Sequence, residues 1–232
     1  MGAPIGFDWD WASSTGGLIS RRQCLQLIAV LLTQMPGLVS GELEVVGGVH
    51  GTGRLDGAAL VTPSTSVAVA AERIAREQLS PWLLEHSFRC YFFGKALAGV
   101  DGAVVDDELA FVAAMLHDIE LERPVRGRCF AVRGAEDAEK FLSELGEPSE
   151  RVTLVRDGIA QHITPGLDGD IGDVAVFLSQ AASVDLFGAR VQDLDPGWIT
   201  SLLAEHPRLD FKREVIRVLR EEVARTRTDG WR

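Results

Sequence analysis

From residue 62 onward, apolar positions recur every three to four residues along this 232-residue chain. That is the period of helices with one face turned to a core. Thr62-Pro63 and Ser80-Pro81 each place a capping side chain before a first-turn proline and predict helices over 64–79 and 81–98. Asp106-Asp107 opens a third helix, whose run Leu109 to Leu116 is apolar nearly all round and ends at His117-Asp118. A fourth is expected over Gly134 to Leu145, stopped by Gly146. Pro148 opens a fifth, with Val152, Val155, Ile159 and His162 in helical register. A sixth runs from Gly172 to about Phe187 and aligns Val174, Phe177, Ala181 and Asp185. Asp195-Pro196 opens a short helix, and Phe211 to about Thr226 forms the last. Strand-like alternation is almost absent, so the expected fold class is all-α.

The first sixty residues are less periodic. A helix is expected from about Arg21 to Gln34, ended by Pro36-Gly37. A Gly-rich stretch follows, Gly41 to Gly57, with Val45-Val46 and Val49 as a short extended piece. The organisation predicted is an N-terminal extension over 1–60, a helical domain over 61–226 and a tail over 227–232.

Ionisable side chains interrupt three of the apolar faces. His86 lies on the 81–98 helix, His117-Asp118 closes the next, and Asp185 stands in line with Val174, Phe177 and Ala181. Such groups are costly to bury unless something compensates them. Two imidazoles and two carboxylates suit one divalent cation. An Asp–Arg or Asp–His network, with Arg89 and Arg156 as its cations, satisfies the same spacing, and the pattern alone leaves both open.

Composition narrows the partners. The net charge of −11 lacks the basic footprint of a nucleic-acid binder. Three widely spaced cysteines, Cys24, Cys90 and Cys129, form neither a disulfide framework nor a zinc knuckle, and suit reduced thiols in the cytoplasm. Ser20-Arg21-Arg22 before Leu27 to Leu32 resembles a twin-arginine export signal, but Asp8 and Asp10 sit in the leader and no small-x-small site follows. No apolar run is long enough for a membrane span. A small-molecule substrate is therefore expected, with neither nucleic acid nor membrane as partner, and a homo-oligomer is compatible with the exposed last helix.

His86, His117-Asp118 and Asp185 together reproduce the H…HD…D pattern of the HD superfamily of metal-dependent hydrolases. The segment from Pro81 to Gly94, reading PWLLEHSFRCYFFG, resembles the surroundings of the first ligand in cyanamide-hydratase-like HD proteins. Phe130 to Ala135 leading into Phe141-Leu142, Gln161 to Gly166, Asp185 to Gly188 and Phe211-Lys212 resemble that branch too. The likeness spans about Pro63 to Val218. It implies an HD-domain helical bundle and a single divalent ion held by His86, His117, Asp118 and Asp185. Zinc or iron(II) is the favoured ion and manganese also fits the donor set. It further implies that His162 acts on substrate or proton and that Thr164 and Pro165 shape the pocket wall. One departure is Glu120, followed by Glu122, where the branch often has glycine or another small residue.

Two reactions follow from the resemblance. In the first, activated water adds to a small nitrile-like substrate, with Asp118 and His162 as catalytic groups and Arg89, Glu120 and Thr164 against the substrate. In the second, water attacks a nucleotide or phosphate ester, with Arg89, Arg123, Arg126, Arg128 and Lys212 as candidate cations. A non-catalytic regulatory role is the further alternative. His50 and His206 lack comparable context and are expected at the surface.

Overall fold

The structure, a computed structural model, describes residues 8–20, 50–55, 60–164, 167 and 169–226, with Arg22, Gln23, Leu25, Gln26 and Ala29 as isolated positions. Its helices are α1 (Trp9–Thr15), α2 (Ser66–Gln78), α3 (Pro81–Asp101), α4 (Asp107–Leu116) and α5 (Phe130–Glu144). They continue with α6 (Ser149–Gln161), α7 (Val174–Phe187), α8 (Pro196–Glu205) and α9 (Phe211–Thr226). Among the described residues no strand forms, only the isolated bridges Gly53–Leu194 and Val125–Arg128. The chain is all-α, as its periodicity predicts.

The hub is α4. Every side chain from Leu109 to Leu116 is buried, and the helix touches α2, α3, α5, α6 and α7. Around it α3 packs on α7 and α5 on α6, while α6 closes against α7. An apolar helix without a polar face is stable only in such a place. Its last residues therefore enter the centre of the molecule.

Two close approaches hold the frame. At Gly94, midway along α3, an added Cβ would collide with the Phe177 ring of α7. At Gly158 on α6 it would lie 2.6 Å from Val174 Cγ1. Glycine lets these helix pairs approach more tightly than any side chain would allow.

Local capping accounts for most helix starts. Asp106 accepts from Leu109 N–H at 3.0 Å, Asp173 from Ala175 at 2.8 Å and Asp195 from Trp198 at 2.7 Å. Thr65, rather than Thr62, caps α2, accepting from Ala68 N–H at 3.2 Å. The reason is that Pro63 stands outside the helix. Ser80 precedes Pro81 as expected but makes no side-chain cap bond; its backbone N–H reaches Glu122 Oε2 at 3.1 Å. α5 starts at Phe130, a turn before the expected Gly134, because Glu222 of α9 accepts from Phe130 N–H at 2.8 Å.

The described part of the first sixty residues contacts this body. Cys129 N–H bonds Gly16 O at 2.8 Å, Gly53 N–H bonds Asp193 O at 3.0 Å and Asp195 N–H bonds Gly53 O at 2.9 Å. Within the helix expected over Arg21 to Gln34, the described positions Arg22, Gln23, Leu25, Gln26 and Ala29 are helical. The extended piece at Val45, Val46 and Val49, and the tail over 227–232, lie outside the described residues. No described helix is long and apolar enough to cross a membrane.

Candidate metal centre

Two helices end in histidine at the centre of the molecule. His117 is the C-cap of α4 and His162 the C-cap of α6. The last carbonyls of a helix lack intrahelical donors, and each ring supplies one. His117 Nδ1 donates to Ala114 O at 2.8 Å, and His162 Nδ1 donates to Ile159 O at 2.7 Å. A carbonyl can only accept, so the proton sits on Nδ1 and each Nε2 is turned inward. The same device occurs twice.

His86, one turn into α3, reaches this state through a carboxylate. Its Nδ1 bonds Asp185 Oδ2 at 2.7 Å, and Nε2 faces inward. Phe211 of α9 lies flat against the ring, with centroids 4.4 Å apart and planes inclined by 18°. All three imidazoles thus present Nε2 to Asp118, the first residue beyond the α4 cap. Oδ2 of Asp118 is 3.3 Å from His117 Nε2 and 3.7 Å from His86 Nε2. Oδ1 is 3.5 Å from His162 Nε2. His86, His117, Asp118 and His162 are all buried.

This arrangement is electrostatically incomplete. Neutral Nε2 atoms facing a carboxylate set lone pairs against negative charge. His117 Nε2 is buried and, despite its nearness to Asp118, has no hydrogen-bond partner. Burial pushes the Asp118 carboxyl up, but the His117 and His162 rings outweigh it and hold it well below the usual carboxylate range. Burial lowers the His117 pKa, yet Asp118 and the Ala114 carbonyl bring its net shift upward. Both directions show a centre complementary to positive charge, which either protons or a cation can provide.

Asp185 is satisfied differently. It accepts from Arg89 Nε at 3.0 Å and Nη2 at 2.8 Å, and Arg208 Nη1 lies 3.0 Å from Oδ1. Leu209 and Asp210 take left-handed φ values of 44° and 63° in the turn that brings Arg208 there. Burial raises the Asp185 carboxyl, but the bonds from His86 and Arg89 pull it far below its ordinary value. The ionic network allowed by the spacing therefore exists around Asp185. It does not extend to Asp118, whose ion-pair partners among the described residues are all imidazoles. The donors that converge are His86, His117, Asp118 and His162, with Asp185 standing behind His86.

Other expected site residues fall elsewhere. Arg89 has no exposed surface; besides Asp185 it donates to Pro207 O at 2.8 Å. Glu120 is mostly covered and paired with Arg133 and Arg123. It lines a surface cleft with Gln78, Arg123 and Asp137 that contains none of the converging residues. Thr164 is buried two residues after His162, while Pro165 lies outside the described residues. Arg156 pairs with Glu139 and Asp157 and covers Trp9, away from the centre. His50 is exposed as expected. His206 is not a free surface residue: it stacks on Phe88 at 4.7 Å and bonds Glu85 at 2.8 Å.

One nearby residue carries a signal readable from its spacing alone. Cys90 follows His86 by four positions, one helical turn, and its Sγ lies 3.4 Å from His86 Nε2. Burial and the Asp185 and Asp118 charges push its thiol well up.

The fold and these residues define an all-α domain with a buried His/Asp centre suited to a divalent metal ion. Residues 83–186 match the family model described as HD domain. That span contains every converging donor, and the match supports the HD superfamily, in general metal-dependent hydrolases. No curated protein matches the chain.

Proposed function

We propose that the protein is a metal-dependent hydratase that adds water to a small uncharged electrophile of the nitrile or cyanamide type. The observation carrying the metal reading is the convergence of imidazole Nε2 atoms on Asp118, with no arginine or lysine among the described residues paired to it. His86, His117 and Asp118 would hold the ion, with zinc or iron(II) favoured by the family resemblance and manganese also accommodated. Bound there, the ion supplies Lewis acidity, activating water and polarising the electrophile near neutral pH.

The remaining residues have distinct tasks. Asp185 orients His86 and, neutralised by Arg89 and Arg208, adds little negative charge of its own. His162 faces the other oxygen of Asp118, so its Nε2 is placed to take up or release the proton that hydration moves. Thr164, buried two residues beyond it, is the residue proposed for the adjoining wall. Of the five cations named for a phosphate, three are committed: Arg89 is held by Asp185, Arg123 by Glu120 and Arg128 by Glu136. That commitment favours an uncharged substrate over a phosphate ester. The widely spaced cysteines support a cytoplasmic location.

The test combines elemental analysis with turnover of nitriles, cyanamide and phosphate esters by wild type, Asp118→Asn and His162→Gln. Wild type should carry about one ion and hydrate a nitrile-type substrate. Asp118→Asn should lose ion and activity together. His162→Gln should keep the ion while kcat falls by about 10²–10⁴-fold, the usual weight of a positioned proton carrier. A wild type that takes up no ion after reconstitution refutes the metal reading. Turnover of phosphate esters alone replaces the substrate class.

A further inference from the structure

The donor set of the proposed centre has a member outside the His/Asp pattern. Cys90 Sγ is fully buried and lies 3.4 Å from His86 Nε2. Sγ and one ring nitrogen each of His86 and His117 fall within 4.8 Å of one another. His117, whose Nε2 is unpartnered and whose side chain is only 1% exposed, belongs to the same group. An atom able to complete a coordination shell thus sits beside a buried lone pair with nothing to receive it.

Three donor–donor edges lie near those around one ion. With bonds of about 2.0–2.1 Å to nitrogen or oxygen and 2.3 Å to sulfur, tetrahedral zinc has donor–donor edges of roughly 3.3–3.6 Å. The edges here are 3.4 Å for Cys90–His86, 3.3 Å for His117–Asp118 and 3.7 Å for His86–Asp118. All involving Asp118 use the same oxygen, Oδ2, whereas His162 faces Oδ1.

We propose that Cys90 is a sulfur ligand of the centre, which then holds its ion through His86, Cys90, His117 and Asp118. This rests on the reading that a divalent ion occupies the site. On binding, the thiol gives up its proton to solvent and the sulfur bonds as thiolate. A thiolate among imidazoles makes the centre softer than a His/Asp set, selecting zinc or iron(II) and disfavouring manganese.

The experiment is cobalt(II) loading of the full chain, followed by absorption spectroscopy and metal analysis. Wild type should bind cobalt and show a near-ultraviolet thiolate-to-cobalt charge-transfer band. Cys90→Ser should keep cobalt but lose the band, whereas Cys24→Ser and Cys129→Ser should retain it. Cadmium affinity should fall about tenfold or more in Cys90→Ser while manganese affinity stays within about threefold, as expected for loss of a soft donor. If Cys90→Ser fails to fold, the wild-type spectrum decides alone. Bound cobalt without the band overturns the sulfur ligand and leaves the His/Asp centre standing. A band that survives Cys90→Ser in the folded variant also overturns it. No bound cobalt in wild type overturns both.

Discussion

Replacing Arg89 by methionine should destabilise the protein by about 3 kcal/mol at neutral pH, the lower end of the cost of breaking a buried ion pair. Arg89 and Asp185 are both essentially inaccessible to water, and the guanidinium makes bonds of 3.0 and 2.8 Å to the carboxylate. Methionine fills much of the volume, so the main loss is charge compensation. Arg208 remains 3.0 Å from Asp185 but is about a third exposed, which is why the low end applies. Urea unfolding followed by circular dichroism, with chelator present so that bound metal adds nothing, would measure it. At a slope of about 3 kcal/mol/M the midpoint should fall by about 1 M. The pH dependence follows from Asp185, whose carboxyl the fold holds below its unfolded value of about 3.9. A depressed carboxyl contributes stability above that value and loses it as pH falls toward the folded one. Arg89→Met lets the folded value rise, so the gap between variant and wild type should be widest near pH 7 and shrink below about pH 4. Arg89→Met/Asp185→Asn removes the stranded charge yet keeps an acceptor for His86 Nδ1, and should recover at least half the loss. A single variant within 1 kcal/mol of wild type, or a double variant no better than the single, would refute the reasoning.

Two further substitutions probe the frame around the centre. Gly94→Ala forces α3 away from the Phe177 ring and should cost about 1–3 kcal/mol in chemical denaturation, the usual range for overpacking; Phe177→Leu in the same chain should restore part of it. Phe211→Ala removes a buried ring stacked on His86 and should cost about 3–5 kcal/mol. If the ring also orients His86, titration with zinc should show weaker binding than in Gly94→Ala. Equal affinities would make Phe211 a packing residue only.

The legible parts of this molecule are local. Asp106 and Asp195 mark helix starts because a cap acts on an amide three positions away, and Pro148 because its ring fixes φ where the helix begins. His117-Asp118 could be read as the end of a buried helix because apolar residues surround the whole of α4. What the pattern could not reveal depends on neighbours far along the chain. Phe130 begins α5 without a polar cap at Cys129, since its amide is satisfied by Glu222 from α9. His206 reads as a surface residue until Phe88 and Phe92 are seen beside it. Arg89 and Cys90 are adjacent in sequence, yet one turns to Asp185 and the other to the centre. Their types were visible, but the helix each would face was not. The same holds for Asp185, which shares an apolar face as expected and meets its arginines only through α3 and the turn before α9.

Because carbonyls at two helix ends set the tautomers of His117 and His162, the centre's chemistry is wired to the completeness of those last turns. No side-chain substitution nearby can switch either ring without also freeing a main-chain acceptor. Fraying of α4 or α6 by a single turn would release the proton positions together with the backbone. An ion bound there would then act as a clasp on both helix ends, and hydrogen exchange at residues 114–118 and 159–163 would record its arrival as local quieting of the main chain.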